Sequence, residues 1–258
     1  MVSLDLEWQQ LLWNCYHHGK TVKKDDSTIK ELMGNYVFLE RPQDIPIPLK
    51  RKVDTVEEFL SGLKKGLYDI PDYPIKGEAL FNYVNSWTEP DKIYVDEFSR
   101  EYHGLKGKGF VYTYPERVLN YFTARPESPV DRTGFFLNQF DIIWSRLYKN
   151  LGSNRGVAVL YQPGMDYMED DIPCLNWLQA TIRDNKLELH CVFRSNDLYG
   201  AWISNMYFLT FFGLWMAEEL SSGVNIKENI CFNGIHYHSS SLHIYETDLP
   251  AVKNILGE

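Results

Sequence analysis

Two strand-like runs, residues 178–183 and 187–193, flank the tetrapeptide Arg183-Asp184-Asn185-Lys186, and a nearly unbroken apolar stretch follows at 206–217. Asp and Asn tolerate the backbone angles a tight turn needs, so the first part predicts two strands joined by that turn. The apolar stretch is too short to span a bilayer and runs into Glu218-Glu219, so it predicts a buried helix, starting near Ser204. Further strands are expected at 35–40, 156–162, 230–237 and 242–245. Strands and helices mixed without strict alternation indicate an α+β chain and not a doubly wound one.

With 258 residues, 44% of them hydrophobic and 15% aromatic, the chain can bury a substantial core as one domain spanning 1–258. A formal charge of -9 argues against a general nucleic-acid binder, because affinity for a phosphate backbone is built from summed positive charge. A small anionic ligand needs only a local arginine cluster. Cys15, Cys174, Cys191 and Cys231 lie far apart with no C-x-x-C pair. In a long, core-rich chain with no signal-peptide pattern and no membrane span, this predicts reduced thiols and a cytoplasmic protein.

Residues 4–18 carry apolar side chains at the spacing of one helical face, with Gly19 as a stop. Lys20 to Lys24 form a short basic patch, read as a solvated loop. A proline-rich connector covers 42–48, and a helix is expected over 55–67 with Thr55 as cap and Glu57 and Glu58 in its first turn. Residues 68–74 break it, and 76–87 read as helical. The polar, glycine-containing segment 88–109 is expected to be a surface excursion, and 135–148 a helix with Gln139 and Asp141 near its start.

The chemistry concentrates between Asp171 and Tyr207. Cys174 follows a proline, Arg194-Ser195-Asn196-Asp197 comes next, and Asn205 stands eight residues beyond the aspartate. A thiolate is the strongest ordinary side-chain nucleophile near neutral pH when a positive neighbour lowers its pKa. Arg194 can serve as that neighbour and can hold a phosphate by its forked donors. Ser195 adds a hydroxyl donor, and the Asn205 carboxamide donates and accepts at once against a uracil edge. Asn205 is also a good helix N-cap, and both roles can hold together. His243 and Tyr245 alternate along a strand, so their side chains share a face. The rival reading, a zinc site from His236, His238, His243 and Cys231, lacks a second ligand pair at zinc-finger or zincin spacing, so no metal is expected.

These residues resemble the thymidylate synthase family, which pairs a Pro-Cys nucleophile with a downstream Arg-Ser-x-Asp and an asparagine at this spacing. The block Ser241-Leu242-His243-Ile244-Tyr245 is similar to the family's His-x-Tyr, which holds the deoxyribose hydroxyl. The likeness is strong from Tyr112 to Leu249 and weak before it; Lys30-Glu31-Leu32, Glu40-Arg41-Pro42 and the early ending resemble the short, archaeal-type members.

The resemblance implies a thymidylate synthase-like α+β fold, a mixed sheet packed with helices around a long buried central helix. It implies attack of Cys174 on C6 of dUMP and one-carbon transfer to C5, with 5,10-methylenetetrahydrofolate or a related reduced pterin as carrier. Arg194 and Ser195 would grip the phosphate, Asn205 would read the base with Asp197 beside it, and His243 and Tyr245 would hold the sugar. Asparagine at 205 goes with uracil, where cytosine hydroxymethylases carry aspartate. Tyr114 matches the family's loop tyrosine near the nucleophile, followed by Pro115 where short members usually have glycine, and Glu78 falls where a proton-relaying glutamate is kept. The family sends two adjacent arginines into the partner's site; this chain has Asn154-Arg155, so Arg155 alone is carried over, acting in trans in a homodimer. The loop before the first strand, here Lys20 to Lys24, often supplies a phosphate contact. The resemblance leaves open a thymidylate synthase, a dUMP hydroxymethylase, or a nucleotide-binding homologue without turnover.

Overall fold

The computed structural model describes residues 4–24, 27–44, 51–88, 112–124, 134–167, 169 and 171–258. Its frame is a six-stranded sheet of β1 (Lys20–Lys24), β2 (Ser27–Glu40), β5 (Val157–Val159), β6 (Leu175–Arg183), β7 (Lys186–Asp197) and β8 (Cys231–Tyr245), ordered β1-β2-β8-β7-β6-β5. Neighbours are antiparallel except β7 and β8, which run parallel, so the sheet is mixed. Two further strands, β3 (Tyr121–Ala124) and β4 (Gly134–Leu137), form a separate hairpin. The β6–β7 hairpin turns on Asp184 and Asn185 at φ 49° and 59°. Two successive left-handed residues match the right-handed twist of the flanking strands.

The apolar stretch of the sequence forms the central helix, Trp202–Ser221, buried from Trp202 through Leu214. Gly213 lets it approach β8: a Cβ there would lie 2.2 Å from the ring of Phe232. Helices from the N-terminal part of the chain pack against it. In α1 (Leu4–His18), Trp8 is fully buried and its Nε1 donates to Leu198 O at 2.8 Å. In α2 (Val56–Lys64), Thr55 Oγ1 accepts from Glu58 N at 3.2 Å as the cap. Beyond α3 (Gly77–Asn85), Trp87 stacks on Phe208 at 4.5 Å and donates to its carbonyl at 2.9 Å. The α+β class and the buried central helix are as the sequence predicts. Among the described residues no helix is long and apolar enough to cross a membrane.

Several expectations need correction. Lys20 to Lys24 form a strand, β1, because Ser27 to Glu31 pair with them. The strand expected at 35–40 begins at Ser27. The helix expected from 135 starts only at Gln139 with Asn138 as cap, because Phe135 to Leu137 pair with β3. Of the strand expected over 156–162, only Val157–Val159 pairs, and a short helix, Pro163–Asp166, follows. The strands expected at 230–237 and 242–245 are one, β8. The connector at 42–48 lies outside the described residues from 45 on, as does the excursion at 88–109 beyond Thr88.

Candidate active site

Cys174 is the last residue before β6, between Pro173 and a bulge where the β6–β7 register shifts from Leu175 to Trp177. Bulges re-aim side chains, and this one is fastened on several sides. Arg194 N donates to Cys174 O at 2.8 Å, Asn176 Nδ2 to Pro173 O at 2.8 Å, Arg194 Nε to Pro173 O at 3.1 Å, and Arg194 Nη2 to Ile172 O at 2.6 Å. Arg194 therefore shapes the cysteine loop as well as charging it. Ser195 Oγ lies 4.0 Å from Cys174 Sγ. Burial pushes the thiol up from its ordinary value, while Arg194 and Ser195 pull it down. The net direction is upward, so the arginine offsets desolvation without overcoming it, and the lowered thiol expected from Arg194 is not reached.

At the end of β7 the buried Asp197 accepts from Tyr199 N and Gly200 N, both at 3.1 Å, and so shapes the turn into the central helix. Burial raises its carboxyl to about 7, against those two hydrogen bonds and with a further push from Asp248. Asn205 is also buried. Its Oδ1 accepts from Tyr83 Oη at 2.6 Å and its Nδ2 donates to Asn196 Oδ1 at 3.2 Å. It is not the helix cap: Ala201 holds that position, and the Ser204 N–H is taken by Tyr73 Oη at 3.1 Å. The asparagine is thus left to polar neighbours, oriented by a tyrosine 122 residues away in sequence.

His243 is Asp197's partner across the parallel β7–β8 ladder, and its ring meets that of Tyr245 edge-on at 5.1 Å. Burial raises the Tyr245 phenol to about 12, with the charges of Asp197 and Cys174 adding to it. Lys24 Nζ stands 5.9 Å over the Tyr245 ring, and its charge favours the ionised forms of Cys174, Asp171 and Asp197. The end of the basic patch therefore belongs to this cluster.

Tyr114 opens α4 (Tyr114–Leu119), and its hydroxyl accepts from Leu175 N at 3.4 Å, next to Cys174. Thr113 and Glu116 form a capping box there, so Pro115 occupies the first turn, where its missing N–H costs nothing. Burial holds the Tyr114 phenol well above its ordinary value and Tyr112's likewise. Tyr112 faces the Arg117 guanidinium at 5.5 Å. Arg117 is itself buried, donating to Asp166 Oδ1 at 2.6 Å and to Gln162 Oε1.

Two predicted residues are not brought to this cluster. Glu78 is exposed in the first turn of α3, five residues before Tyr83 and so about 140° round the helix from it. Arg155 is exposed beside β5, its backbone held by Ser153 and Arg146. Its neighbour Asn154 accepts from Arg183 Nη2 at 2.6 Å. Conversely, Tyr83 carries no sequence signal of its own, since it meets the site only through tertiary packing.

Fold and geometry together define an α+β protein that sets a half-buried cysteine against an arginine, a serine and a hydrogen-bonded asparagine. Comparison with known proteins narrows this. No family model matches the chain. Over 96% of its length it is 26% identical to a protein of Methanothermobacter thermautotrophicus named "putative thymidylate synthase", covering 93% of that protein. A protein of the same name from Methanopyrus kandleri is also 26% identical, over 96% of this chain and 92% of its own length. That of Methanocaldococcus jannaschii is 29% identical over 64% of this chain and 69% of its own. The resemblance to the thymidylate synthase family thus extends along nearly the whole chain, including the N-terminal part where the motifs are weak.

Proposed function

We propose that this protein is a single-domain enzyme of thymidylate synthase-like fold that transfers one carbon to C5 of dUMP, most simply a thymidylate synthase forming dTMP. The observation that carries the reading is the Cys174 thiol beside Arg194 and Ser195, on a loop whose carbonyls the same arginine holds.

In this reading the Cys174 thiol loses its proton and Sγ bonds to C6 of the uracil, the C5–C6 electron pair shifting so that C5 becomes an enolate-like nucleophile. Arg194 and Ser195, with Lys24, hold the phosphate, and Arg155 of a second copy completes the grip in a homodimer. Arg183, bonded to Asn154, brings a second guanidinium to the corner where the family keeps its adjacent arginine. Asn205 reads the uracil edge from a position set by Tyr83 and Asn196. His243 and Tyr245 take the sugar hydroxyl, and Tyr114 lines the thiol. Loss of the C5 proton and expulsion of the Cys174 sulfur then release the product.

The carrier, 5,10-methylenetetrahydrofolate or a related reduced pterin, supplies the one-carbon unit and, for a methyl product, the hydride. The residues present fit a planar heteroaromatic ring. Tyr114 lies 6.1 Å from Tyr112 and 5.7 Å from Phe208, and Tyr83 lies 5.4 Å from Phe208, an aromatic wall beside the nucleophile.

The deciding experiment is mass analysis of the product from dUMP and methylenetetrahydrofolate, beside a Cys174→Ala control. A methyl-bearing product absent from the control supports the synthase. A hydroxymethyl product reassigns the protein to a dUMP hydroxymethylase, and dUMP binding without product or C5 hydrogen exchange identifies a binding-only homologue. Sedimentation showing only monomer at assay concentration would rule out Arg155 acting in trans.

A further inference from the structure

The other face of the sheet carries a second polar cluster that the proposed reaction does not use. Phe38, His236 and His190 are aligned across β2, β8 and β7, because Phe38 pairs with His236 and His236 with His190 in the ladder. The three rings stack: His190 and His236 are 4.2 Å apart and 3° from parallel, and Phe38 covers the other side of His236 at 4.5 Å. Glu188, two residues before His190 on β7, places Oε2 2.9 Å from His236 Nε2, while its Oε1 accepts from Asn233 Nδ2 at 2.6 Å. The other ring nitrogen of His236, Nδ1, is 2.8 Å from Tyr36 Oη, and His190 Nε2 is 3.3 Å from Thr181 Oγ1. One ligand atom from each of Glu188, His190 and His236 lies within 4.8 Å of the others, and all three residues are half-buried.

The geometry points to a divalent transition-metal site formed by Glu188, His190 and His236. Two imidazoles and one carboxylate suit Zn²⁺, Co²⁺ or Ni²⁺ and not the oxygen-seeking Mg²⁺ or Ca²⁺. Neighbours orient the ligands: Tyr36 sits on the Nδ1 edge of His236, leaving Nε2 toward Glu188, and Asn233 fixes the carboxylate. Coordination displaces the proton held between His236 and Glu188 into solvent and needs only side-chain rotation, drawing the three ligand atoms to about 2 Å from one ion. Three protein ligands leave a fourth position open. Because one chain supplies all three, the stoichiometry is one metal per chain in any oligomeric state.

Separate spacings along two strands kept this site out of reach of a motif search. The sequence offers His236-x-His238, but His238 contributes no ligand atom, and the partners come from β7, beside β8 only in the folded sheet.

The test titrates the EDTA-dialysed full-length protein with Zn²⁺ by calorimetry and with Co²⁺ by visible absorption. The expected result is one equivalent bound per chain, with Co²⁺ d–d bands and no thiolate charge-transfer band. Binding should weaken at least about tenfold in His190→Ala, His236→Ala and Glu188→Gln, and be retained in Cys174→Ala. Absence of one-equivalent binding in the wild type, or its retention in the His190→Ala/His236→Ala double variant, overturns the site. Should an alanine variant melt below the metal-free wild type, His236→Gln, which keeps the ring's volume better, replaces it. The readout is independent of turnover, so failure of the dUMP reading leaves this test intact.

Discussion

The strands β7 and β8 carry two polar clusters, one on each side of the sheet, and the two are built on opposite terms. At the Cys174 end, Asp197, Asn205 and His243 are nearly withdrawn from solvent, and the hydrogen-bond partners named above hold Asp197 and Asn205 in place. Burial there displaces pKa values, upward for Cys174, Asp197, Tyr114 and Tyr245. On the opposite side Glu188, His190 and His236 are less deeply buried, and the groups hold one another by ring stacking and the hydrogen bond between His236 and Glu188. A strand presents alternate residues to opposite faces, so the same two strands support both. The difference teaches that the first cluster is bound into the core, where burial sets the charge states of its groups, whereas the second lies nearer the solvent.

The largest effect that could break this comparison belongs to Cys174, the proposed nucleophile. Cys174→Ala should reduce turnover of dUMP by several thousandfold or more, with its melting temperature close to wild type. Because burial raises the thiol, kcat/KM of the wild type should climb with pH through neutrality as the thiolate fraction grows; a rate flat from pH 6 to 9 would contradict the protonated resting thiol.

Packing comes next. Gly213→Ala forces a methyl into the buried Phe232 ring and should cost about 2–3 kcal/mol in a urea melt. A neutral outcome would mean that the inner face is looser than its geometry. Asp197→Asn keeps an acceptor for Tyr199 N and Gly200 N and removes a carboxyl whose folded value is about 7. A raised acid is protonated in the folded protein and ionised in the unfolded chain between the two pKa values. Its contribution is therefore favourable below the unfolded value and is lost as pH rises to the folded one. The variant should gain on the wild type by on the order of 2 kcal/mol between pH 5 and pH 8; a pH-independent difference would refute the burial argument.

Smaller still, Tyr83→Phe removes the donor on Asn205 Oδ1 and should lower kcat/KM for dUMP roughly tenfold, about 1.4 kcal/mol, through a mispositioned amide. On the outer face, His190→Ala in metal-free protein should change stability by no more than about 0.5 kcal/mol, and a larger loss would show that this side too is part of the core.

Much of this was legible from residues alone, and what was not had a physical reason. The α2 cap, the Asp184-Asn185 turn and the central helix are local or compositional features, settled by neighbours in sequence. The single strand β8 reads as two because Ser239-Ser240-Ser241 resembles a break; pairing with β2 and β7 on either side carries the chain through it. Phe135 to Leu137 show helical periodicity but answer to β3. In the site, Cys174, Arg194 and Ser195 meet as neighbours at the start of β6 and on β7, whereas Tyr83 arrives by tertiary packing that no single segment encodes. Glu78 rests on its spacing to Tyr114 alone, and in the fold its side chain is exposed in the first turn of α3.

The order of the sheet has a temporal consequence. β2, near the start of the chain, has only the short β1 beside it until β8, some 190 residues later, exists to take its other edge. Trp8 likewise waits for the carbonyl of Leu198. Contacts of such span form slowly, because the intervening loop must be closed before they return any stability. During synthesis a ribosome would therefore hold an N-terminal hairpin with an unpaired edge until almost the whole chain had emerged, a window in which a chaperone, or the same hairpin of a neighbouring nascent chain, competes for that edge.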